Sequence, residues 1–559
     1  MTSIPKTIAT TALALLALAS PLQAKTIEQG GDRYIINVDQ MQLNGEESLL
    51  DILMMCPEIM SQNGRTLAAP GYFGQYAIRI NNLDINMDAE EYLKETKARD
   101  VKKIQMCIYP GVMKGSGGMK KVIDIAYRKD HEGTAAKVAL EGDTQASGEL
   151  FGRLISNNGK AWVMGQAFGK MLYADPLHET VENANVNVDW NISSRDVLQL
   201  QATQQYVRSR NDGARAEYDR MVSAAAVITH SLSDNGAYGL LQLVGNYATN
   251  DQNGLGGYCS KATSPYGLLE FGFPFISKDV YVTAGVEAGY AATTDGIAKY
   301  TDRDTYEDFY AQVDWTNGKW GAMLGDRFRL QSFWLHRFDS DNAWKHSTHN
   351  NFLTATLWCN LDDKNTLKGS FVRRFYGPDY SDFVAGETSL EQYYTTDIFQ
   401  RPIYTADFRY TYQQKNFNLM GMIRNDHQKL SASDNDNVLT TGLSAFLHAG
   451  VLRLTAGADY CWERLHADGV KYNSWVSLHL APQVSTGNGW RFTANAIYNS
   501  RRMTEDIQYA SLYMQPNFYL DLAASKEIGS HWLLEAKWHD IVDERVGNNA
   551  VSLGVTYTF

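Results

Sequence analysis

Proline is scarce, at 12 residues, and beyond the first two dozen positions no apolar run is long enough to cross a bilayer as a helix. A proline-rich linker protein and a helical membrane protein are both excluded. Cysteine is scarce as well. Cys56, Cys107, Cys259, Cys359 and Cys461 are odd in number, widely spaced and free of any C-x-x-C pair. That pattern signals neither a disulfide framework nor a zinc site, and only a Cys56–Cys107 bridge is left open. Positive charge is outweighed, with 51 Lys and Arg against 63 Asp and Glu and a net charge of -12, so nucleic acid is excluded as a partner. Catalytic signatures are missing too: there is no G-x-S-x-G, no H-E-x-x-H and no phosphate loop. The basic, glycine-rich run from Gly115 to Lys121 lacks phosphate-loop spacing. The chain is therefore not read as an enzyme, and no cofactor or resident metal is expected.

What is present begins with the first segment. Lys6 precedes an apolar run from Ile8 to Ala19, followed by Pro21-Leu22-Gln23-Ala24. Residues 1–24 read as a secretory signal cleaved after Ala24, because the run is too short for a membrane span.

From about residue 130 the period is two. In Asn183 to Ile192, Ala184, Val186, Val188, Trp190 and Ile192 share one face, and Asn183, Asn185, Asn187, Asp189 and Asn191 the other. The same alternation marks Leu452 to Tyr460, Tyr404 to Tyr412, Phe492 to Tyr498 and Val551 to Phe559. These segments run to about ten residues or more, the length of a tilted transmembrane strand rather than of an average soluble one. Aromatics, 12% of the chain with 32 Tyr and 12 Trp, fit girdles at two membrane interfaces. A mean hydropathy of -0.35 is compatible, since half of each such strand faces a polar lumen. Tight turns, such as Asn157-Asn158-Gly159 and Asn317-Gly318, alternate with longer polar connections, such as 143–148, 207–216, 250–263 and 377–401. That alternation predicts about 22 antiparallel strands, within a range of about 20 to 24.

Residues 25–130 differ. Glu46 to Met55 has helical spacing, stopped by Pro57. Strands are expected at Tyr34 to Val38, Tyr76 to Ile80, Val101 to Tyr109 and Val122 to Tyr127, with a second helix over Asp88 to Glu95. The expected fold is membrane all-β: a transmembrane barrel over 131–559, preceded by a small mixed α/β unit over 25–130.

That order resembles the TonB-dependent outer-membrane receptor family, in a Bacteroidetes-like style. Leu49-Leu50-Asp51-Ile52-Leu53 with Cys56-Pro57-Glu58-Ile59 is similar to the family's opening helix and "L…P-G-V" segment. Ile78-Arg79-Ile80 with Leu83-Asp84-Ile85-Asn86 is similar to its "I-R-G…V-L-I-D-G" strands, and Ala98 to Met106 to "A-x-D-I-E-K-I-E-V". Gly115 to Gly118 with Val122 to Ile125 resembles "G…G-G-V-I-N-I", and Val555 to Phe559 resembles the terminal strand. The resemblance implies a plug domain in the lumen and import of an extracellular nutrient. It also implies Phe559 as the signal to the barrel assembly machinery, and outer-membrane lipid and TonB as partners. The alternative is a plugged barrel without TonB coupling, acting as a surface binding or structural protein. It stays open because only Lys25 to Asp32 or so precede the first expected plug strand and show no clear coupling segment. An open porin would require residues 40–130 to lie below the barrel.

Arg79 and Arg128 are the candidate contacts from plug to barrel, toward lumen acids such as Asp189, Asp407 or Asp459. Tyr380, Phe383, Tyr393, Tyr394 and Asp397, in the longest outer loop, are the candidate ligand-binding residues for a small molecule or oligosaccharide. His336, His346 and His349 lie close in sequence but without the spacing of a rigid metal site.

Overall fold

The computed structural model describes residues 27–29, 33–38, 48–53, 60–61, 67–68, 76–81, 83–84, 92–93, 96–107 and 121–129, and from 133 to 559 nearly all of the strands with their tight turns. Connections at 212–215, 253–257, 296–298, 338–342, 376–401, 430–434, 466–470, 504–512 and 543–549, with a few shorter gaps, lie outside the described residues.

From Gly133 onward the chain forms one closed antiparallel barrel, sealed where Ala550–Thr558 pairs with Gly133–Asp143. Twenty-three strand segments enclose it. Tyr258–Thr263 and Tyr266–Pro274 lie end to end between the same two neighbours, so the wall is 22 strands around. The break falls at Ser264-Pro265, where proline has no N–H to give the ladder.

The period-two pattern sorts the wall as expected. Val186 and Trp190 are each 47% exposed on the outer face, while Asn185 and Asn187 between them are 1% and 3% exposed on the inner face. Such an apolar exterior around a polar interior is the signature of a transmembrane barrel, since lipid replaces water outside and closure leaves no unpaired strand edge. The fold and this surface place the chain in the outer membrane.

Several strands run well past ten residues: Trp320–Arg337 and Ala343–Asn360 each reach 18. Ladder pairing continues past the bilayer, so hairpin length is not set by membrane thickness alone. The connection at 143–148, expected to be long, is a tight turn in which Asp143 N–H donates to Ser147 O at 3.0 Å.

The N-terminal region forms a six-stranded sheet in the order Ile27–Gln29, Arg33–Asn37, Val101–Cys107, Lys121–Tyr127, Tyr76–Ile80, Leu83–Asp84. One pair, Tyr76–Ile80 with Lys121–Tyr127, is parallel. The helix Leu49–Leu53 packs on it, and Tyr34, Ile36, Leu49, Ile52, Ile104 and Ile125 are all at most 1% exposed in the shared core. Of the helix expected over Glu46 to Met55, the described part that is helical is Leu49–Leu53. Of the second expected helix only Tyr92 and Leu93 fall among the described residues, both helical. Cys56 lies outside them, so its pairing with Cys107 is not described.

Candidate functional site: the contact between the N-terminal sheet and the barrel wall

The sheet is held at separated points around the barrel, each by a polar group that the strand period turns inward. Asp100 ends the one-turn helix Ala98–Asp100 and forms an ion pair with Arg153 of the second barrel strand, whose side chain is 3% exposed. One residue earlier, Arg99 Nη2 donates to Thr558 Oγ1 of the closing strand at 2.9 Å. This single turn therefore bridges the seam at which first and last strands meet.

A second point lies on the fourth and fifth strands. Asn81 is in the left-handed region, with φ 50°, a conformation that Asn tolerates better than most residues. Its N–H is fixed by Ile125 O at 3.0 Å. The turn aims Asn81 Nδ2 at Asp189 Oδ2, 2.9 Å away. Lys129 pairs with the same carboxylate, and Gln199 Nε2 donates to Asp189 Oδ1 at 2.9 Å and to Asn81 O at 3.2 Å. Beside it, Leu83 is buried against Ala225, Val227 and Val244 of the wall.

The third point is across the lumen. Arg409 Nη1 donates to Tyr34 Oη at 2.6 Å and lies 5.4 Å from that ring's centre, as does Lys368 Nζ. Trp162 and Met164 on one side, and Val372 and Met420 on the other, extend the sheet's apolar core into the wall. The described part of the sheet thus contacts inward-facing wall residues on both sides of the barrel.

Asp189, a lumen acid in the sequence reading, meets Asn81, Lys129 and Gln199. Asp407 pairs with Arg409. Arg128 Nε donates to Val101 O at 3.2 Å, within the sheet, and Arg79 lies in register with Asp84 and Asp124. The sequence reading does not single out Asp100, Lys129, Arg153 or Arg409. Arg153 and Arg409 carry one sequence signal, a charge at an inward position of an alternating strand.

Elsewhere the inner wall carries a self-contained charge network. Asp308 receives Arg327 Nε and Arg329 Nε at 2.7 Å each, and Arg327 also pairs with Glu287 at 2.7 Å. Tyr306 Oη donates to Glu287 at 3.0 Å and Tyr310 Oη to Glu270 at 2.6 Å. Their rings lie over Gly289 and Gly285 of the neighbouring strand, positions where any Cβ would collide with them. With charges paired and rings bedded, this region stiffens the wall.

Tyr380, Phe383, Tyr393, Tyr394 and Asp397 lie outside the described residues. His336 stacks on Trp334 with ring centres 5.7 Å apart, and His349 lies 6.3 Å from Phe328. Among the described residues no group of three or more His, Cys, Asp or Glu is arranged to hold a metal ion.

No protein-family model and no curated protein sequence matches the chain. Solved structures do match along nearly its whole length. The siderophore receptor PiuA from Acinetobacter baumannii superposes with a TM-score of 0.72 at 9% identity, covering 97% of this chain and 99% of that one. The copper transporter OprC gives 0.73 at 12%, covering 94% and 100%. The alcaligin outer-membrane receptor FauA from Bordetella pertussis gives 0.67 at 12%, covering 95% of each. The chain is similar to these proteins in fold: a closed 22-stranded antiparallel barrel.

Proposed function

We propose that the protein is a TonB-dependent receptor that binds a nutrient outside the cell and releases it into the periplasm when the lumen sheet shifts. The observation that carries this reading is the sheet itself. A 22-stranded barrel would otherwise be an open channel, and here, among the described residues, a sheet meets the inner wall through separable polar contacts and apolar packing. In this reading residues 25–130 are the plug and 131–559 the barrel, after a signal peptide ending at Ala24. Phe559 marks the barrel for the assembly machinery in the outer-membrane lipid. Tyr380, Phe383, Tyr393, Tyr394 and Asp397 capture the ligand, and Arg79 and Arg128 assist plug contact. The names of the similar structures make a metal or metal chelate one class to try, and an oligosaccharide is the other.

One observation favours a second reading, a plugged barrel without energy coupling. Ile27–Gln29, where a free coupling segment is sought, is paired with Arg33–Asn37 in the sheet. The deciding experiment is uptake of siderophore-bound iron, copper and oligosaccharides by cells with and without the gene, each with and without TonB. Gene-dependent uptake that needs TonB supports the first reading. Gene-dependent binding with uptake indifferent to TonB supports the second.

A further inference from the structure

Above the Asp189 docking point the inner wall changes character. Asn183, Asn185 and Asn187 follow one another up the fourth strand, in register with Gln205, Thr203 and Gln201 of the fifth. Next to Thr203 on the sixth strand is Ser223. All of these side chains are uncharged hydrogen-bonding groups. Asn183 is 4% exposed, Asn185 1%, Gln201 5% and Thr203 4%. Yet five of their polar atoms have no hydrogen-bond partner: Asn183 Nδ2 and Oδ1, Asn185 Nδ2, Gln201 Oε1 and Thr203 Oγ1. Buried polar atoms are normally paired, and an exception asks for an explanation. Five lie together on two adjacent strands, whereas others on the wall, at Gln312 and Thr354, stand singly.

From this column we infer a solute-binding lane on the inner wall, centred on Asn183, Asn185, Gln201 and Thr203 and suited to a neutral, polyhydroxylated solute of saccharide type. Each amide offers a donor and an acceptor, as each sugar hydroxyl does. No charge stands among these four residues to favour an ion. Phe168, in register with Asn183, provides an apolar ring beside them. The lane begins where the Asn81–Leu83 turn docks, so release of that turn opens it. The inference rests on the plug reading.

The test uses the full-length protein in planar bilayers, with docking weakened by Asn81→Ala plus Leu83→Ala and with maltohexaose or citrate as probe. Ion current is expected once docking is weakened. Maltohexaose should interrupt it, citrate should not, and Thr203→Val or Asn185→Leu should shorten the interruptions at least fivefold. Asn183→Asp, nearly isosteric and least disturbing to folding, should shorten them too, while Leu443→Ala, on the outer face at 53% exposure, leaves them unchanged. No current in the docking variant overturns the plug reading and the lane with it. Current with interruptions that are absent, equal for citrate, or unaltered by the lane variants overturns the lane alone and leaves those atoms to hydration.

Discussion

Arg153 and Asp100 form an ion pair between the barrel wall and the N-terminal sheet, and the arginine side chain is only 3% exposed. A guanidinium at that depth needs its carboxylate. Breaking a buried pair by removing one partner costs about 3–5 kcal/mol, because the remaining charge is stranded. Asp100→Ala should therefore loosen the sheet from the wall. The check is the ion conductance of the reconstituted full-length protein, which should rise. The exchange Asp100→Arg with Arg153→Asp should bring it partly back, and an unaltered conductance in Asp100→Ala would show that the pair does not hold the sheet.

The wall's stiffness at strands nine and ten depends on ring-over-glycine packing. Gly285→Val places a side chain where Tyr310 lies. Overpacking of this kind costs about 1–3 kcal/mol. The variant should unfold at lower denaturant, read from the heat-dependent shift of the folded barrel on electrophoresis. Gly152→Ala, at a position with nothing within contact range, is the control and should behave as the parent.

The lipid face is tested by charge. Val186 is outward and 47% exposed. Val186→Arg should destabilise the barrel in liposomes by about 2–4 kcal/mol if it sits at mid-bilayer. Reversible denaturant titration gives that number directly, and a change within error would place Val186 outside the hydrocarbon.

A pH effect follows from Tyr92 and Tyr127, whose hydroxyls meet at 2.5 Å. Burial pushes both phenols above their ordinary range. Groups whose folded pKa is raised contribute their stability fully below the unfolded value, about 10 for tyrosine, and lose it as pH rises through the folded value. The sheet should therefore weaken above about pH 10. Trp162, with its ring 5.5 Å from that of Tyr127, is a local fluorescence reporter. Tyr127→Phe should flatten the pH dependence.

Much of the barrel was legible in the sequence because burial on one face and lipid on the other impose a strict alternation. Asn183 to Ile192 shows it with hardly an exception. The strand break was harder. The segment 250–263 read as a long connection, yet Tyr258–Thr263 is ladder, and Ser264 N–H still donates to Asn246 O at 3.0 Å beside the proline. The docking site was not legible. Alternation says that Arg153 or Arg409 points inward, but not which residue meets it. Arg153 and Asp100 lie 53 positions apart, and Arg409 and Tyr34 375 apart. Arg79 and Arg128 were chosen by charge and by their place in the N-terminal region. Lys129, the next residue, makes the pair with Asp189 because the chain leaves the sheet there and turns toward the wall.

The bond from Arg99 to Thr558 spans 459 residues of chain. In a protein made from one end to the other, the sheet is complete long before that partner exists. Seating of the sheet cannot finish until the last strand has joined the first, so the contact works as an end-of-assembly check. A barrel stalled one strand short would keep the Asp100–Arg153 pair but lack the bond that ties the sheet to the seam.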